Sequence, residues 1–229
     1  MKNEKNYYTT HDLVEISKRG YYPEKVSFII NQLSKIKKEK DNIEILDIGS
    51  NEGYLANKYT EYGNVTANEV NKKGIDLCKK RGLACIEGDF FSIPDEYNER
   101  FDVIIAGDII EHIFDTDAFL KKIYLLLKSR GVLILTTPNI ASFGRRIMLL
   151  SGINPFIEFS TLLPYKEFNV GHIRYYTIKN IKDQLKFNNF SNIKIMGDRI
   201  NFTDNLYSRK LGKLFPSLAR YFLVYSEKK

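Results

Sequence analysis

From Ile43 onward the sequence alternates short apolar runs with helix-patterned stretches, and this alternation restricts the fold more than any other feature. Strand-length runs stand at IEILDI (43–48), NVTANEV (64–70), LACI (83–86), FDVIIA (101–106) and GVLILTT (131–137). Helical segments near 53–62, 72–81 and 117–129 separate them. The last opens at Thr116 or Asp117 as cap and buries Leu120, Ile123, Leu126 and Leu127. Strands that are apolar along nearly their whole length need cover on both faces, and joined by helices they make a parallel sheet. An α/β, doubly wound domain is predicted.

The flanks complete that domain. Within residues 1–42, Pro23 suits a first helical turn, and Val26, Ile29, Ile30, Leu33 and Ile36 recur at steps of three and four, leaving Lys35, Lys37 and Lys38 outward. This predicts an N-terminal helical cap on a cofactor-binding core over 43–138. After Pro138 the rhythm breaks into 139–176, with a short helix near 141–150; a connection of that length reads as a lid insertion over a substrate. The closing part, 177–229, holds a helix capped by Thr177, a strand at SNIKIMG (191–197) and a last strand at ARYFLVYS (219–226). A length of 229 residues suits one such domain rather than two.

Composition excludes several other classes. With 43% apolar and 28% charged residues, the chain is neither disordered nor fibrous. No apolar run approaches the roughly 18 residues of a membrane span, and MKNEKNYYTTHD lacks the apolar core of a secretion signal. Cys78 and Cys85 match neither a zinc framework nor a disulfide scaffold, so a reduced, cytoplasmic protein is expected. The net charge of +7 is one-sided: residues 1–117 carry 16 Lys/Arg against 22 Asp/Glu, net −6, and residues 118–229 carry 19 against 6, net +13. A solvated lysine-rich surface accounts for this as well as an acidic partner does.

Ligand chemistry gathers where the strands end. The first strand runs into Asp47-Ile48-Gly49-Ser50-Asn51-Glu52-Gly53 and then a helix, a turn where glycines let a ligand come close to the backbone. Its G-x-N-x-G spacing differs from the G-x-G-x-x-G of dinucleotide sites. Glu69 closes the second strand, where a carboxylate can accept both hydrogen bonds of a ribose diol. Gly88-Asp89-Phe90 follows the third strand, offering an acid for an exocyclic amine and a ring to cover a base. Gly107-Asp108-Ile109-Ile110-Glu111-His112 follows the fourth.

As an ordered set, DIGSNEG, NEV, EGDF, FDVIIAGDIIEH and GVLILTTPN resemble the class I S-adenosylmethionine-dependent methyltransferases. The likeness is to their small-molecule branch, which includes ubiquinone-biosynthesis-type O-methyltransferases and enzymes found among cell-surface polysaccharide genes. It runs from Ile43 to about Asn139, with support from His172 to Thr177. The resemblance implies a Rossmann-like sheet of seven strands, the last antiparallel, and S-adenosyl-L-methionine as cofactor. It further implies that Asp47, Gly49, Ser50, Asn51 and Gly53 shape the pocket of the methionine end and that Glu69 holds the ribose. Val70 then packs on adenine, Asp89 and Phe90 fix the base, and Asp108 lies near the sulfonium. The family usually has glycine where Asn51 stands; Asn tolerates positive φ better than other side chains.

Methyl transfer from a sulfonium depends mainly on positioning, but an oxygen nucleophile of high pKa must lose its proton. The histidines are His11, His112 and His172. His172, at the end of the lid beside Arg174 and Tyr175, is the expected base, with His112 as second catalytic candidate; a purely structural His172 is the alternative. No metal is assigned, although Asp108, Glu111 and His112 share one face of a helical turn and similar patterns hold a divalent cation in some ubiquinone-type relatives. Arg145, Arg174 and Tyr175 are the candidate substrate contacts; Arg145 and Arg146 also suit an acidic substrate or transient docking on a membrane surface. Phe143, Phe156, Phe159, Tyr165, Tyr175 and Tyr176 suit a ring equally well. The expected partner is a small, anionic molecule such as a sugar, sugar phosphate or quinone-like precursor, with neither nucleic acid nor stable membrane insertion. The alternatives are a nucleic-acid methyltransferase, suggested by the basic pI, and a methyltransferase-like regulatory partner without catalysis.

Overall fold

The computed structural model describes residues 23–156, 171–203 and 205–229. The first part of the expected cap (residues 1–22, with His11) and much of the lid (residues 157–170, with Phe159 and Tyr165) lie outside the described residues.

The strands are β1 (Ile43–Ile48), β2 (Gly63–Glu69), β3 (Ala84–Glu87), β4 (Phe101–Gly107), β5 (Leu127–Pro138), β6 (Phe190–Gly197), β7 (Ile200–Asn201), β8 (Tyr207–Ser208) and β9 (Tyr221–Lys228). Seven of them form one sheet in the order β3-β2-β1-β4-β5-β9-β6. β1 pairs in parallel with both β2 and β4, while β9 runs antiparallel between β5 and β6. The Rossmann-like sheet with an antiparallel last strand is thus as the family resemblance implies. β1 is its pivot, since the chain winds outward from it in both directions. Open sheets bind ligands at such a reversal, beyond the carboxyl ends of the strands.

Residue alternation divides the core into two layers. One face of the sheet carries Ile43, Ile45, Val103, Ile105, Val132, Ile134 and Leu223. Against it pack Phe28, Ile29 and Leu33 of α1 (Pro23–Glu39), Ala56 and Tyr59 of α2 (Tyr54–Tyr59), and Cys78 of α3 (Lys72–Lys80). The other face carries Leu46, Ile48, Ile104, Ala106, Leu133, Leu135, Phe222 and Val224. α4 (Thr116–Leu126) covers it with Phe119, Leu120, Ile123 and Leu126, and α6 (Ile178–Phe187) with Ile181 and Leu185. α6 starts on a capping box between Thr177 and Asn180, which satisfies N–H groups that a helix start leaves unpaired.

Two elements differ from the sequence expectation. α4 stops at Leu126 and not near 129, because its last carbonyls accept from outside the helix: Leu125 from the Glu99 N–H (2.9 Å) and Leu126 from the Arg100 N–H (3.1 Å). Leu127 is then released into β5, opposite Phe101. The β7–β8 hairpin and α7 (Arg209–Leu214), between the last two strands of the sheet, were not anticipated, since two-residue strands leave no hydrophobic period to read. α5 (Phe143–Leu150), the short helix after Pro138, buries none of its residues.

Candidate active site

The turn after β1 is built from left-handed residues. Gly49, Asn51 and Gly53 have φ of 65°, 52° and 71°, so Asn51 takes up the conformation for which the family usually has glycine. A Cβ at Gly49 would collide with the Ile109 side chain, and one at Gly53 would lie 2.8 Å from Leu83 Cδ1. The turn is tied to β2, as the Gly49 and Ser50 N–H groups donate to the Asn68 carbonyl (2.9 and 3.1 Å). It is also tied to Glu69: Oε2 accepts from the Asn51 N–H at 2.6 Å, and Oε1 from the Val70 and Asn71 N–H groups at 2.8 Å each. Three bonds leave a carboxylate about one further acceptor position. α3 closes the far side, where Gly74 approaches so near that a Cβ would sit 2.7 Å from the Asn51 carbonyl.

Beyond β2 and β3, Val70 is 38% exposed at the rim. Asp89 accepts from the Phe91 N–H at 2.9 Å and opens a single 3₁₀ turn over Phe90–Ser92. That turn corrects one expectation: Phe90 points into the core, its ring 4.9 Å from that of Phe119, and Phe91 is the exposed ring at 44%. The sequence places two phenylalanines side by side and gives no means of deciding which faces out.

Two acids end the central strands, Asp47 buried and Asp108 half-buried. Asp47 closes the crevice at β1, and burial, against the pull of Ser50 and Lys25, pushes its carboxyl up to about 7. Asp108 follows β4 in a left-handed conformation with φ 57°. It accepts from Thr136 Oγ1 at 2.5 Å and from Lys25 Nζ at 2.7 Å. Its own burial works against ionisation, but Lys25 and Thr136 hold its carboxyl below the ordinary value. Lys25 escaped the sequence reading, although its position three and four residues before Phe28 and Ile29 puts it on the buried face of α1.

Farther along the same edge, Glu111, His112 and His172 meet. The Glu111 carbonyl accepts from the Ile173 and Arg174 N–H groups (2.9 and 3.0 Å), which draws 171–174 over the turn after β4. His112 Nδ1 donates to the Gly171 carbonyl at 3.1 Å, leaving Nε2 as the acceptor nitrogen of that ring. The two imidazole centroids lie 4.8 Å apart, and His172 Nε2 is 3.9 Å from Glu111 Oε1. Glu111 is 1% exposed; Oε2 accepts from Thr137 Oγ1 at 3.0 Å, and Oε1 has no hydrogen-bond partner among the described residues. Burial, helped by the charge of Asp108, raises the Glu111 pKa well above its ordinary value. The ligand atoms of Glu111, His112 and His172 lie within 4.8 Å of one another, so these three could hold a cation. Asp108, which the sequence groups with Glu111 and His112 on one helical face, is instead engaged by Lys25 and Thr136, and His172 completes the group.

The candidate substrate contacts are more dispersed. Arg145 lies on α5 with Nη1 buried and unpartnered among the described residues. Its neighbour Arg146 donates to the Ala141 carbonyl (2.6 Å) and the Ser217 carbonyl (3.2 Å). Arg174 donates to the Phe114 carbonyl and lies over the Phe114 ring, 5.6 Å from its centroid. Tyr175 meets Phe156 edge to face at 4.5 Å, and Tyr176 is buried, its hydroxyl pushed up to about 12 by desolvation. Asn139 also escaped the sequence reading. It is buried and donates to the Ser217 and Ala219 carbonyls (3.0 and 2.7 Å), fixing the chain as it leaves β5.

A family model described as a methyltransferase domain matches residues 19–195. Ubiquinone biosynthesis O-methyltransferase of Pelagibacter ubique is 34% identical over 104 residues, 43% of this chain and 43% of its own length. The protein of that name from Rickettsia bellii is 27% identical over 122 residues, 51% of each. The chain therefore spans about half the length, or less, of these curated relatives. Among solved structures, a SAM-dependent methyltransferase of Thermotoga maritima, possible histamine N-methyltransferase, superposes over the full length of both chains with TM-score 0.66 at 18% identity. The 1,6-didemethyltoxoflavin-N1-methyltransferase of Burkholderia thailandensis, solved with bound S-adenosylhomocysteine, covers 82% of this chain and 72% of its own with TM-score 0.54 at 13% identity. At these identities the structural likeness is one of fold.

Proposed function

The chain belongs to the methyltransferase-domain family, and from that membership we propose that it transfers a methyl group from S-adenosylmethionine to an oxygen of a small acceptor. The crevice suits that cofactor: a turn with no room for a Cβ at Gly49, the spare acceptor position of Glu69, the exposed Val70, and two acids, buried Asp47 and half-buried Asp108, for the cationic methionine end. The cofactor, when bound, supplies a methyl group activated by the positive sulfur. Glu69 holds the ribose, Asp47 and Asp108 face the cationic end, and the core over 43–138 does this work while 139–176 meets the acceptor.

Proton removal is the task left to the protein. The observation that carries the O-methylation reading is the pair His112–His172, 4.8 Å apart beside the buried Glu111. In this arrangement His172 takes the proton from the acceptor hydroxyl. Glu111 lies behind it, and His112, fixed by Gly171, keeps the two rings together. Arg145, Arg174 and Tyr175 are assigned to an anionic or aromatic acceptor, such as a sugar, sugar phosphate or quinone-like precursor. The free thiols of Cys78 and Cys85 fit a cytoplasmic protein, and no described helix is long and apolar enough to cross a membrane.

Calorimetry on two variants tests the proposal. Glu69→Ala should weaken S-adenosylmethionine binding by about 1–3 kcal/mol, since both the ribose contact and the N–H groups it holds are lost. His172→Ala should leave that affinity unchanged while turnover falls by about 10²–10⁴-fold. No binding to the wild-type protein would refute the cofactor assignment, and full turnover in His172→Ala would refute the base.

A further inference from the structure

Lys25 brings a largely covered cation into the crevice. Its side chain is 11% exposed, and its ammonium donates to Asp108 Oδ2 at 2.7 Å. It lies along the backbone at the end of β4, where a Cβ on Gly107 would come within 3.2 Å of Lys25 Cε and 3.3 Å of Nζ. Its field is felt at three carboxyls, those of Asp47, Asp108 and Glu111. The first turn of α1 is also anchored from afar, because Arg209 of α7 pairs with the buried Glu24 carboxylate next door. Contacts across 185 residues of sequence thus hold the register that aims Lys25 into the site.

The chemistry of the ligand makes this placement consequential. S-adenosylmethionine and S-adenosylhomocysteine share their carboxylate, ammonium, ribose and adenine, and differ at sulfur, which is cationic in the first and neutral in the second. A carboxylate near that sulfur favours the charged form; a lysine already paired with the carboxylate cancels much of the preference.

We propose that Lys25 sets the discrimination between charged cofactor and neutral product by neutralising Asp108. The inference rests on the cofactor reading above and adds a residue to it. By limiting how tightly the crevice holds the sulfonium, Lys25 keeps binding energy from accumulating in the charged ground state. Methyl transfer dissipates that charge, so an interaction favouring it would be lost on the way to the transition state. Lys25 acts through Asp108 as a positioning residue and takes no proton.

The test is calorimetry with both ligands on wild type, Lys25→Met, Asp108→Asn and the double variant. In Lys25→Met the affinity ratio of S-adenosylmethionine to S-adenosylhomocysteine should rise at least about threefold, from the Coulomb energy of one nearby charge. KM for the cofactor and kcat should fall together. Asp108→Asn, with Lys25 left uncompensated, should move the ratio the other way, and the double variant should return it to within about twofold of wild type. A residue that merely supports the fold would shift both ligands equally, so an unchanged ratio in the single variants overturns the proposal. Should Lys25→Met not fold, the opposite shift in Asp108→Asn and its reversal in the double variant still decide. Wild-type protein that binds neither ligand overturns the cofactor reading itself, whereas binding with a constant ratio overturns only the role of Lys25.

Discussion

Asp47 shows how strongly one position in this crevice is governed by its surroundings. Burial raises its carboxyl to about 7, while Ser50 and Lys25 pull it down and Glu69 pushes it up. Between the ordinary carboxyl range near 4 and about 7, the folded protein keeps a proton that the unfolded chain has released. Raising the pH through that window therefore costs stability. Binding runs the opposite way, because only ionised Asp47 attracts the cationic end of the cofactor. Affinity for S-adenosylmethionine should climb as pH rises through 7 and level off near pH 8 and above; titration calorimetry at several pH values, with Asp47→Asn expected to flatten the curve, checks this. At this scale the positions of Asp47, Glu69 and Asp108 at one edge of the sheet were legible, because each stands at the carboxyl end of a strand. Lys25 was not, since its partner lies 83 residues away and a lysine in an amphipathic helix reads as solvated. Phe90 was misread because the 3₁₀ turn started by Asp89 rotates it inward, a local event no periodicity reports.

Among the elements, the turn from β1 to α2 is the most tightly specified. Gly49 is both left-handed and pressed against Ile109, so Gly49→Ala meets backbone strain and a collision together. It should destabilise the fold by about 1–3 kcal/mol in urea unfolding and weaken cofactor binding as well. Asn51→Gly keeps the same φ without a Cβ and should change stability by less than about 1 kcal/mol. The strands and the helices over the two layers were readable from alternation and three-to-four spacing, since burial on one or both faces imposes those periods. Boundaries were less so: α4 is cut short by hydrogen bonds from Glu99 and Arg100, residues that precede it in the chain. The β7–β8 hairpin and α7 owe their shape to close backbone contacts, such as that of Gly212 with Arg199 at 2.5 Å from a would-be Cβ, which leave no apolar pattern.

For the whole molecule, the one-sided charge was visible in the sequence, but its use was not. Arg146 serves backbone carbonyls and Arg209 holds Glu24, so part of the basic surplus of the second half is spent within the fold. The core is shared more evenly: Leu223 of β9 packs with α1, while Phe222 and Val224 pack with α4 and α6. Leu223→Ala, at a fully buried position in the strand that joins β5 to β6, should cost about 2–5 kcal/mol in a denaturant titration. That strand also sets a timetable. β5 ends at Pro138 and its antiparallel neighbour begins at Tyr221, so a ribosome adding about 5–20 residues per second leaves one side of β5 without its partner for several seconds. Through that interval the growing chain exposes an open, strongly apolar strand edge, the kind of surface that makes an incompletely folded chain prone to aggregate.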